Sequence, residues 1–62
     1  MLTFTEFRQK CQALVDSKEY DKALLSPIGM LDTYSRFKSN YEKSSNKSNE
    51  TVLFETIERF KL

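Results

Sequence analysis

Nothing in this chain can be stapled. Among its 62 residues there is a single cysteine, Cys11, and no histidine. A lone thiol makes no intramolecular disulfide, and a structural zinc site normally takes four Cys or His ligands. Chains of this size bury only about 60% of the surface their unfolded form exposes. Small scaffolds usually compensate with disulfides, a metal or oligomerisation. With the first two closed, an apolar core has to hold the fold, and self-association or a tight partner is expected to add to it. The same absences narrow the chemistry. Histidine is the only side chain that titrates near neutrality unaided, and it is the commonest metal ligand. The one glycine cannot build a phosphate-cradling loop. No carboxylate pair is spaced for acid–base work. The chain is expected to be non-enzymatic, with no catalytic, metal-ligating or cofactor-binding residue and no cofactor.

Ten Lys and Arg against nine Asp and Glu leave a net charge of +1. That balance describes neither a nucleic-acid-binding arm nor an acidic mimic of nucleic acid. Charged residues at 31% and aromatics at 13% suit a folded domain better than a disordered one. No apolar run approaches the roughly 18 residues that span a bilayer. Residues Met1–Glu6 lack the basic and then apolar regions of a secretory signal. A single unpaired cysteine fits a reducing compartment. The expected location is cytoplasmic, with no membrane partner.

The pattern of the chain is helical throughout. Thr3 and Glu6 have the spacing of a capping box, flanked by Leu2 and Phe7 at the positions of a hydrophobic staple. Phe4, Phe7, Cys11, Leu14 and Val15 then recur at helical spacing, which predicts a helix over residues 3–16. Asp16 and Glu19 offer a second cap, and Tyr20, Ala23 and Leu24 form an apolar set spaced three and four apart. A second helical segment is expected over 17–25, set off from the first by a bend or break. Ser26-Pro27 starts a third, because serine caps and proline suits the first helical position. Its stripe is Ile28, Leu31, Tyr34, Phe37 and Tyr41, over 27–43. Gly29 lies in its first turn, where it lets another helix approach closely. Residues 44–49 contain no apolar side chain and are expected to form an exposed, mobile loop. Ser48 or Asn49 caps a last helix over 50–62 whose core stripe is Leu53, Ile57 and Phe60, widened by Val52, Phe54 and Leu62. No alternation argues for a strand. The expectation is one all-α domain, a compact bundle of three to four short helices that its small core inclines to dimerise.

Five phenylalanines and three tyrosines supply most of the core, since each aromatic buries a large area. Tyr34 and Tyr41 stand seven residues apart with Phe37 between them. Together with Arg36 they are read as an exposed ridge, because tyrosine and arginine are enriched at binding surfaces. Glu55 and Glu58 on the last helix are secondary contacts for a basic partner. The expected function is a small protein-binding module, an inhibitor, immunity-type or regulatory factor acting through a helix face. Its partner is another protein or a second copy of itself. The alternative is a dimeric nucleic-acid-binding regulator in which Arg36, Lys38, Lys43 and Lys47 touch phosphates while the interleaved aromatics stack bases. Cys11 lies on an apolar stripe and is read as a small core residue.

Four segments of the chain also carry a resemblance. Glu6-Phe7 is followed by Cys11, then come Leu25-Ser26-Pro27, Asn40-Tyr41-Glu42 and Ile57-Glu58-Arg59-Phe60-Lys61-Leu62. Their order and spacing resemble the small helical immunity proteins that protect cells against colicin D-type tRNA-cleaving toxins. The resemblance implies an all-helical inhibitor that blocks a nuclease active site with acidic residues, and so a nuclease toxin as partner. The chain departs from that family in starting at about its second helix and in having no acidic excess. No contact residue transfers by motif.

Overall fold

A computed structural model describes residues 1–44 and 46–62. It contains three α-helices, α1 (Phe4–Asp16), α2 (Pro27–Lys43) and α3 (Asn49–Ile57), with 3-10 turns at Lys22–Leu25 and Glu58–Phe60. There is no strand among the described residues. The fold is the expected all-α short bundle.

The first helix begins as its sequence dictates. The Thr3 hydroxyl accepts from the Glu6 N–H at 3.2 Å, and the Glu6 carboxylate accepts from the Thr3 N–H at 3.0 Å. Those bonds hold the Glu6 carboxyl below its usual range. The helix ends at a Schellman motif: the Lys18 N–H donates to Val15 O at 2.9 Å and the Glu19 N–H to Leu14 O at 3.3 Å. Lys18 takes the left-handed conformation, φ 64°, that glycine usually fills. This termination corrects the helix expected over 17–25. The chain is extended at Tyr20 and Asp21 and regains helical form only at Lys22–Leu25, where Asp21 rather than Asp16 caps by accepting from the Ala23 N–H at 2.8 Å.

Ser26 caps α2 by accepting from the Gly29 N–H at 3.1 Å, with Pro27 at the first helical position. A Cβ on Gly29 would lie 2.5 Å from Ser26 Oγ and 3.1 Å from Ala23 O. The close approach that Gly29 permits is therefore to its own cap and the preceding 3-10 turn, not to another helix. The buried face of α2 is Met30, Thr33 and Phe37. At about 100° per residue, Met30, Thr33 and Tyr41 fall within about 40° of Phe37. Ile28 falls opposite and Leu31 about 120° away. Both were placed on the core stripe, but they are 83% and 65% exposed. Phe37 and Tyr34 set the phase because they reach the α1 aromatics, and two residues at the near end of the helix cannot override them.

Ser48, of the two expected candidates, caps α3 by accepting from the Thr51 N–H. Ser44 closes α2, and Asn49 already belongs to α3. Ser45, within the loop expected at 44–49, lies outside the described residues. The helix expected to reach residue 62 stops at Ile57. The Glu58–Phe60 turn then brings Lys61 into an antiparallel bridge with Tyr20. The Asp21 N–H donates to Phe60 O at 2.8 Å and the Leu62 N–H to Glu19 O at 3.0 Å. These bonds satisfy backbone that α-helix would otherwise have satisfied, which is why both flanking segments abandon it. The core drawn from all these elements includes Phe7, Cys11, Leu24, Phe37, Leu53 and Ile57. Each such side chain, fully buried, contributes about 1.5–3 kcal/mol. Burial pushes the Cys11 thiol up to about 12, so it packs as an inert small apolar group, as expected.

Candidate functional site

The aromatic ridge proposed as a binding face is the centre of the fold. Phe37 is fully buried, and Tyr34 and Tyr41 are half-buried against the core. The Phe37 ring sits 5.0 Å from Phe7, and Tyr34 meets Phe4 edge-on at 5.3 Å. The Tyr34 hydroxyl donates to Leu2 O at 2.8 Å, and the Lys38 ammonium lies 5.4 Å above the Tyr34 ring. The rings pack on one another, and the Tyr34 hydroxyl is bonded inside the fold. Tyr34 and Phe37 pack α2 onto α1, which corrects the placement of Phe37 on the surface. Of the aromatics that the nucleic-acid alternative would stack on bases, Phe37 has no exposed surface.

Arg36 is exposed, but not beside those rings. It lies on the flank of α2 that faces α3, where its Nε donates to Asp32 Oδ2 at 3.0 Å. Arg59 reaches the same oxygen through Nη2 at 3.3 Å. Hydrogen bonding from Arg36, with the charge of both guanidinium groups, holds the Asp32 carboxyl below its usual range. Ser39, Asn40, Lys43, Glu55 and Thr56 complete a polar groove of about 410 Å³ with these arginines. Its floor is pinned by the Asn40 amide, which donates to Thr56 Oγ1 at 3.0 Å. Lys47 does not line it, because its ammonium is held by both oxygens of Glu55 at 2.7 and 3.1 Å.

On the other side of α3 lies a groove of different character, about 550 Å³, between that helix and the bridged segments at Tyr20 and Lys61. Tyr20 forms its buried wall. Phe54 and Leu62, expected in the core, are instead 43% and 75% exposed along it. Glu19, Glu55 and Glu58 rim it, with Lys61 the one cation on its lining. Glu19 and Glu58 have no side-chain partner among the described residues. The two acids singled out from sequence, Glu55 and Glu58, are thus brought together here, whereas Tyr34, Phe37 and Tyr41 line neither groove.

Sequence reasoning missed Phe54 as a surface residue, although a signal was present. Val52-Leu53-Phe54 are three consecutive apolar residues, which span about 200° of a helix. One face cannot bury all three. Val52, Leu53, Thr56 and Ile57 take the core side, leaving Phe54 outside. Leu62 and Glu19 had no such signal, since their placement depends on the backbone bridge. No helix among the described residues is long and apolar enough to cross a membrane, and no group of acidic, histidine or cysteine residues is arranged to hold a metal. No known protein family matches the chain, and no curated protein or solved structure shows significant similarity to it.

Proposed function

We propose that this chain is a small non-enzymatic protein-binding module, inhibitory or regulatory in role, that docks its partner in the groove between α3 and residues 19–21. The observation that carries this reading is the pairing of exposed apolar surface, Phe54 and Leu62, with the unpartnered carboxylates of Glu19 and Glu58. A large apolar side chain beside a hydrophobic wall is an anchor site of the kind that concentrates binding energy. The flanking acids select partners whose anchor is bordered by Lys or Arg and steer their approach. A nuclease toxin, implied by the immunity-protein resemblance, is one partner of this chemistry, because an enzyme acting on a polyanion carries a basic cleft. A reducing location such as the cytoplasm fits the free Cys11.

The test is capture of partners from the native host by wild type, Phe54→Ala and Glu58→Lys, at moderate salt. The expected result is a stoichiometric protein with a basic surface, lost from both variants while their circular dichroism is unchanged. Equal capture by all three would refute the groove as the docking surface. A second reading, self-association, is favoured by the exposed Ile28 and Leu31 at the start of α2. Sedimentation over a hundredfold concentration range, about 5 μM to 0.5 mM, tests it. Self-association predicts a concentration-dependent dimer that Leu31→Lys abolishes.

A further inference from the structure

The polar groove between α2 and α3 gathers cations along one flank of α2. At about 100° per residue, Asp32, Arg36, Ser39, Asn40 and Lys43 all fall on one side of α2, and Arg59 meets them from the turn after α3. Around the groove stand four cations, Arg36, Lys43, Lys47 and Arg59, against two carboxylates, Asp32 and Glu55. The whole chain has a net charge of only +1, so positive potential is concentrated here. Lys47 and Glu55 neutralise one another, which leaves a single carboxylate oxygen, Asp32 Oδ2, to face both arginines.

Those arginines are held in place without being used up. Arg36 spends Nε on Asp32, and Arg59 spends one Nη2 donor while its guanidinium lies 4.8 Å over the Phe60 ring. Most of the N–H donors on each fork have no partner among the described residues. Such forks match the oxygens of phosphate bidentately. A carboxylate is filled by one fork. Two forks converging from different elements, with an ammonium and the Ser39 hydroxyl along the same groove, suit a group with more oxygens. Arg36 and Lys43 are seven residues apart, about 10.5 Å along the helix, a span that takes more than one phosphate.

We propose that the α2–α3 groove is a phosphoryl-binding site, in which Arg36 and Arg59 grip one phosphate and Lys43 contacts the next. The shared ligand chemistry is two linked phosphates, from a free polyphosphate or from a nucleic-acid backbone. The site shares Glu55 with the docking groove but does not rest on that reading.

The test is an NMR titration of the isotopically labelled protein at constant ionic strength, following the Arg36 and Arg59 Nε–H signals and the Ser39 amide. The probes are pyrophosphate, ATP and a short single-stranded oligonucleotide. The expected result is a saturable shift confined to the groove, weakened roughly tenfold or more in both Arg36→Gln and Arg59→Gln. The exposed cation Lys18, changed to Gln, serves as the control that retains binding. Both arginines are exposed, so both variants are expected to keep the wild-type helicity, which circular dichroism verifies. Oligonucleotide binding that is tighter per phosphate and falls steeply with salt would assign the backbone source. Equal or tighter binding of the small polyphosphates would assign the free one. Shifts matched by chloride alone, or unchanged affinity in both arginine variants, would overturn the proposal.

Discussion

Phe37 and Phe54 are the same side chain put to opposite uses. Phe37 touches Phe7, Tyr34 and Tyr41 and has no exposed surface. Phe54 borders a groove with much of its ring in solvent. The aromatic layer between α1 and α2 is closed, with even the Tyr34 hydroxyl satisfied inside. The groove beside α3 is open, with apolar surface and carboxylates left over. In a chain with no staple, aromatics near the centre are committed to holding it together. Only those that fall outside the buried arc, such as Phe54, keep surface in solvent.

The sharpest break of that comparison is a pair of alanine variants. Phe37→Ala is expected to cost about 3–5 kcal/mol, the range for large aromatic truncations in cores. Total stability near 0.05–0.15 kcal/mol per residue gives a chain of this length only about 3–9 kcal/mol. Chemical denaturation should therefore find Phe37→Ala largely unfolded or close to it. Phe54→Ala should lose less than about 1 kcal/mol, as surface substitutions do. Similar losses in the two would mean that Phe54 is structural and the groove is not spare surface.

Gly29 gives the next largest effect, with a sign opposite to helix propensity. Alanine in place of glycine ordinarily gains about 1 kcal/mol within a helix. Here the added Cβ meets the capping oxygen of Ser26 and the Ala23 carbonyl. Loss of a serine cap costs about 0.5–2 kcal/mol, so Gly29→Ala should lower the melting temperature. A rise would show that Ser26 rotates away at no cost.

Within the closed layer, two hydroxyls sharpen the contrast between satisfied and unsatisfied burial. Tyr34→Phe removes the bond to Leu2 O and should cost about 1 kcal/mol. Thr33 Oγ1 is buried with no hydrogen-bond partner among the described residues. Thr33→Val keeps the shape and removes the unpaired group, so it should be neutral or stabilise by up to about 1 kcal/mol. Urea denaturation of both variants is the check. Matching losses would place an ordered water on Thr33.

Much of this architecture is legible in the residues. Thr3, Glu6, Ser26, Pro27 and Ser48 announce their helix starts, because caps are local and depend on spacing alone. The phase of α2 is not legible from apolar spacing, since Ile28 and Leu31 fit a stripe as well as Met30 and Thr33 do. Contact with α1 decides between them. The end of α1 is hidden for another reason: a left-handed Lys18 has no glycine to mark it, and the bridge at Tyr20 pairs it with Lys61, far along the chain. Of the site, Arg36, Glu55 and Glu58 were visible as exposed charges. Their grouping into two grooves was not, because it requires the packing of α3 against α2.

The smallest expected effect separates two carboxylates, Glu6 at the start of α1 and Asp32 at the basic groove. Both are held below their ordinary values of 4.5 and 3.8, Glu6 chiefly by hydrogen bonding to Thr3 and Asp32 chiefly by Arg36. A carboxyl depressed in the folded state contributes stability above its unfolded value and loses it as pH falls through the folded one. Melting temperature should therefore hold from neutrality to about pH 4.5 and decline below it. Glu6→Gln keeps an oxygen acceptor but cannot titrate, so it should flatten part of that decline at any salt concentration. Asp32→Asn should flatten a part that high salt also removes, because exposed ion pairs are screened. An acid limb unchanged by both substitutions would place its origin elsewhere, and with it would go the claim that Asp32 is under the field of two arginines.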